Sequence, residues 1–118
     1  MMCAALNGHE QVALVLLEAK ADPNKARPGG VTALMFAAQN GHERVALALL
    51  RAGAAVDKTE EDGWTALMFA AQNGHEQVAL VLLKAKADPK KATKRGTTAL
   101  YLAKEQGYSR ISEILEER

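Results

Sequence analysis

Three histidines, His9, His42 and His75, stand 33 residues apart. Histidine is the commonest metal ligand and titrates near neutral pH, so a regular series of them raises the question of a shared metal centre. The spacing excludes one. Ligand nitrogens lie ~2.0–2.1 Å from their ion, whereas successive layers of packed helices lie ~8–10 Å apart. One ring per layer cannot converge on one ion, and the three read as structural turn histidines. No nucleophile is assembled either: the only serines, Ser109 and Ser112, fall near the end, where position 108 is Tyr in place of His. Pro28-Gly29-Gly30 lacks the Lys-Ser/Thr that must follow a phosphate-cradling loop. Cys3 is the single cysteine, so no intrachain disulfide forms, which fits a reducing compartment. The expectation is no catalytic residue, no cofactor and no metal.

The elements that carry these residues repeat. TALMFAAQNGHE occurs verbatim at 32–43 and 65–76, and a decayed copy, TALYLAKEQGYS, begins at Thr98. The opening MMCAALNGHE is a fourth copy without its front end. A period of 33 means a stack of similar units, each touching only its neighbours. The units are placed at 1–26, 27–59, 60–92 and 93–118. Within each, apolar runs predict helices at 33–40, 66–73 and 99–106, with a glycine such as Gly41 ending the first of them in a left-handed turn. Val45, Ala46, Leu49 and Leu50 at helical spacing predict a second helix over 43–52. The same offsets give 10–19, 76–85 and 109–117. All are shorter than the ~12–15 residues an isolated helix needs, so stacking must stabilise them.

Composition fits thin helical layers. Apolar residues make up 48% of the chain, but there are only two Phe, two Tyr and one Trp, so the core is built from Ala, Leu, Val and Met. A formal charge of +1 argues against bulk nucleic acid as partner. No apolar run is long enough to span a membrane and no secretion signal opens the chain; a cytoplasmic or otherwise intracellular protein is expected.

The ends are unequal. Lys104, Ser112 and Glu116 stand where inner units have Ala38/Ala71, Ala46/Ala79 and Leu50/Leu83. A polar outer face is what a terminal unit needs, and the chain is expected to end near Arg118. At the other end Val12, Ala13, Leu16 and Leu17 keep the internal pattern. Either Met1, Met2 and Leu6 seal that face, or the chain is cut from a longer array. The second reading is preferred, and an unsealed face predicts concentration-dependent dimers. Segments 7–25 and 73–91 differ only at Glu18/Lys84 and Asn24/Lys90, as duplication of a two-unit block or deliberate assembly from modules would leave them.

The units GVTALMFAAQNGH, GWTALMFAAQNGH and GTTALYLAKEQGY, with the second-helix ends LLEAKAD, LLRAGAA and LLKAKAD, resemble the ankyrin-repeat family over essentially the whole length. The resemblance implies an all-α solenoid of stacked antiparallel helix pairs with outward hairpin-like finger loops. It also implies a non-catalytic module binding a protein or peptide along its concave groove, from finger tips and first helices. Departures are the family's Pro, here Ala33, Ala66 and Ala99, and its motif His, here Met35, Met68 and Tyr101. The family's Thr–His hydrogen bonds are therefore expected to give way to apolar packing. Lys20 and Lys86 replace the glycine that Gly53 retains after the second helix, and are expected to be strained if left-handed.

The connectors KARPGGV (25–31), KTEEDGW (58–64) and KATKRGT (91–97) diverge between near-identical helices, and variation in a repeat protein collects on the face that meets partners. Trp64 takes the slot of Val31 and Thr97, which in the family points to the ligand; it is expected to be an exposed anchor for a partner, the alternative being a Trp folded onto its own finger. Glu60, Glu61 and Asp62 make the middle finger acidic and are expected to set selectivity. Lys90, Lys91, Lys94 and Arg95 make the last finger basic, as Lys25 and Arg27 do the first. Gln39, Asn40, Gln72 and Asn73, at the ends of the first helices, complete the expected partner-binding set. Met2, Met35, Met68 and Tyr101 form a ladder read mainly as core. Leu14, Leu47 and Leu80 form another, either exposed on the convex side or partly buried. The rival to a natural binder is an engineered or fragmentary scaffold without a native ligand.

Overall fold

The computed structural model describes residues 22–118. The expected helix at 10–19, Cys3, His9, Leu14, Lys20 and the N-terminal face of Met1, Met2, Leu6, Val12, Ala13, Leu16 and Leu17 lie outside the described residues. Within them are six α-helices in three pairs: α1 (Ala33–Asn40) with α2 (Glu43–Arg51), α3 (Ala66–Asn73) with α4 (Glu76–Lys84), and α5 (Ala99–Gln106) with α6 (Ser109–Glu116). The first helices run over the residues expected. The second helices stop one residue early, because Ala52, Ala85 and Glu117 serve as caps instead of continuing the helix.

Each first helix is started by a threonine and ended by a glycine. The hydroxyls of Thr32, Thr65 and Thr98 accept from the backbone N–H three residues on, at 3.3, 3.3 and 3.2 Å. The Thr32 and Thr65 N–H groups in turn donate to Sδ of Met35 and Met68, at 3.5 and 3.4 Å. This is a capping box in which a weak sulfur acceptor stands in for the usual Glu or Gln. The expectation of purely apolar replacement is thus corrected: the methionines are buried, at 1% exposure each, and still close the helix N-terminus. Gly41 ends α1 at φ 75°; a Cβ there would also lie 2.7 Å from the ring of His75, so both backbone angle and layer contact demand glycine.

The stack is built on small residues. Ala37, Ala38, Ala70, Ala71 and Ala103 are fully buried where α1 packs on α3 and α3 on α5, and alanine lets helix axes come close. Leu49 and Leu82, also fully buried, bring the second helices onto the same core. The methionine ladder ends at the last unit: Tyr101 is 53% exposed and its hydroxyl donates to Glu105 Oε2 at 3.2 Å. Lys104 pairs with Glu116 at 2.9 Å, and the Ser112 hydroxyl donates to the Tyr108 carbonyl at 3.0 Å. Lys104 and Glu116 therefore satisfy one another on the exposed side of the last unit, whereas Ser112, expected on that polar face, is buried and satisfied by its own helix backbone. Leu47 and Leu80 are half-buried.

Candidate functional site, the fingers and the first helices

The three fingers are one turn repeated. Arg27 donates its N–H to the Val31 carbonyl at 2.8 Å, Glu60 to Trp64 at 3.0 Å and Thr93 to Thr97 at 2.8 Å. Gly30, Gly63 and Gly96 donate back to Arg27, Glu60 and Thr93 at 2.8, 2.9 and 2.8 Å. Successive fingers are joined by backbone bonds, Glu61 N–H to the Gly29 carbonyl at 2.9 Å and Lys94 N–H to the Asp62 carbonyl at 3.0 Å. Gly63 permits this approach: at φ 90° a side chain would point at the Lys94 nitrogen, 3.1 Å from its Cβ.

The turn sorts the finger residues into two kinds. Glu60 Oε1 accepts from the N–H groups of Asp62 (2.7 Å) and Trp64 (2.9 Å). Thr93 Oγ1 does the same for Arg95 (3.2 Å) and Thr97 (3.1 Å). Glu60 is turned into its own finger, which corrects its grouping with the outward acids. Glu61 and Asp62, and one unit later Lys94 and Arg95, are exposed at the tips. The matching positions in the first finger are Pro28 and Gly29, so that tip carries no charge, and Arg27 sits half-buried at its root.

Trp64 is not the freely exposed side chain expected. It is half-buried against the core with its ring centroid 5.0 Å from that of Phe69 and the planes tilted by 37°. Four residues along α3, the Asn73 side-chain amide donates to the Phe69 carbonyl at 2.9 Å. Trp64, Phe69 and Asn73 thus form one strip from finger root to helix end. Asn40 repeats the bond to Phe36 at 2.9 Å on α1. Gln39, Asn40 and Asn73 are exposed, while Gln72, Val31 and Thr97 are half-buried.

At the far end of the first helices, the layers are tied by histidine. His75 Nε2 lies 3.0 Å from the Gln39 carbonyl, and the Tyr108 ring covers Gly74 as His75 covers Gly41. His42 Nε2 is buried without a partner among the described residues. Burial, and then neighbouring His75, hold its pKa below the ordinary histidine value. A second tie between layers, not anticipated from the sequence, lies in the connectors. Asn24 Oδ1 accepts from Ala55 N–H at 2.6 Å, Asn24 Nδ2 donates to the Gly53 carbonyl at 3.2 Å, and Asp57 Oδ1 accepts from Asp88 N–H at 2.9 Å. Its signal was present, since Asn24 and Asp57 are 33 residues apart.

Among the described residues no helix is long and apolar enough to cross a membrane. Comparison with curated proteins gave no match. A family model for ankyrin repeats in three copies matches residues 1–93 and 34–118. With threonine-capped first helices, glycine stops and stacked fingers in the same 33-residue phase, the chain belongs to the ankyrin-repeat family.

Proposed function

We propose that this chain is a non-catalytic protein–protein interaction module, as ankyrin repeats generally are, and that its ligand is a protein or peptide segment lying across the finger tips and the exposed ends of the first helices. Glu61, Asp62, Lys94 and Arg95 meet it at the tips. Gln39, Asn40, Gln72 and Asn73 meet it along the helices, and Trp64 supports the strip between them from below. The observation that carries this reading is the division of labour within the second and third fingers. One residue (Glu60, Thr93) holds the turn by two hydrogen bonds, and this leaves the tip side chains outside the fold and free to differ. A rigid loop with variable tips is how scaffolds present recognition residues.

The test is selection from a displayed-peptide library with the wild type, with Glu61→Ala/Asp62→Ala and with Asn73→Ala. The expected result is enrichment of related peptides by the wild type and their loss on the tip variant. Enrichment that survives every groove substitution would move recognition to the half-buried Leu47 and Leu80 side. No enrichment by a folded wild type would favour a scaffold without a native ligand.

A further inference from the structure

Resting on that reading, we propose that the second and third fingers together select an extended peptide carrying one basic and one acidic residue about three positions apart. The two tips are of opposite sign, and the backbone bond from Lys94 N–H to the Asp62 carbonyl, 3.0 Å, holds them in fixed register. No side-chain ion pair joins them. Among the described residues the side-chain ion pairs are Lys104–Glu116 and Arg110–Glu76, and neither involves a tip. Glu60 and Thr93 are engaged within their turns, so the outward charge of each finger is a like-signed pair, Glu61 with Asp62 and Lys94 with Arg95. The first tip, Pro28-Gly29, adds none.

A ligand of uniform charge meets one complementary tip and one that repels it, whereas a mixed ligand meets two complementary tips. Complementary patches steer encounter and fix register, and like charges exclude wrong partners. Fingers follow one another at the layer spacing of ~8–10 Å, and an extended strand advances ~3.3 Å per residue. The two ligand charges are therefore about three residues apart.

The probes are short fluorescein-labelled peptides alike except at two positions with that separation. These positions carry basic with acidic (in both orders), two acidic or two basic residues. Anisotropy titration of the full chain at low salt is expected to show one mixed peptide binding about tenfold more tightly than either uniform one, with the gap closing at high salt. Glu61→Lys/Asp62→Lys, made at exposed sites and checked for native circular dichroism, is expected to switch the preference to the doubly acidic peptide. The proposal is overturned if the wild type binds a uniform peptide as well as the mixed ones, or if the charge swap leaves the ranking unchanged. If all peptides bind alike and Asn73→Ala weakens all of them, the groove reading stands and only the charge rule falls. If the folded protein binds none, both fall.

Discussion

The rings of Trp64 and Phe69 lie with centroids 5.0 Å apart, so the root of the acidic finger is fastened to helix α3 by an aromatic pair. Such a pair adds about 0.5–1.5 kcal/mol to the area it buries. Phe69→Ala is expected to lower stability by about 1–3 kcal/mol, below a fully buried truncation because the ring is only half-covered. Trp64 is the only tryptophan, so its emission reports the contact directly and should shift to the red in this variant. Emission identical to wild type would mean that the pair does not form in solution.

Lys86 is the one described non-glycine residue with positive φ, at 74°. It closes α4 as Gly53 closes α2, with its N–H donating to the Leu83 carbonyl at 3.0 Å where Gly53 donates to Leu50 at 3.1 Å. A side chain in this conformation costs about 1–2 kcal/mol, less the roughly 0.5–1 kcal/mol of extra entropy that glycine loses on folding. Lys86→Gly should therefore raise stability by about 0.5–1 kcal/mol, visible as a higher urea midpoint with unchanged slope. A lower midpoint would contradict the left-handed assignment.

Glu60 holds its finger by accepting two backbone N–H groups. Glu60→Ala removes the one oxygen that accepts both bonds, at a partly exposed site, with an expected loss of about 1–2 kcal/mol. Hydrogen exchange at the Asp62 and Trp64 amides should quicken. Glu60→Thr places in this finger the residue that Thr93 provides in the next, and protection should largely return. Exchange in Glu60→Ala as slow as in the wild type would show that the carboxylate does not organise the turn.

His42 has its pKa depressed from the ordinary 6.5, by burial first and by His75 second. The unfolded chain therefore takes up its proton at higher pH than the folded one. Its contribution is complete above about pH 6.5 and is lost as the pH falls through that value, levelling once the folded imidazole is also protonated. Urea midpoints measured from neutral pH downward should fall in this window, and the fall should shrink in His42→Gln. A midpoint that rises on acidification would reverse the assignment.

The sequence by itself determined the repeat, the register and the limits of the first helices. Those features are local: a threonine hydroxyl reaches an N–H three residues on, and a glycine accepts a left-handed turn wherever it stands. It also marked the fingers, because divergence between near-identical copies is visible without coordinates. What each finger residue does was decided only by tertiary structure. Glu60 and Glu61 are neighbours of the same type, and only the closed turn sends one carboxylate inward and leaves the other at the tip. Met68 and Tyr101 occupy one repeat position, yet Met68 is buried and Tyr101 exposed, as position in the stack dictates. Trp64 becomes half-buried because the fold brings Phe69 beneath it, and Asn24 and Asp57 become ties because the next layer presents N–H groups to them. Periodicity specifies which residues are equivalent; contact with adjacent layers gives equivalent residues different work.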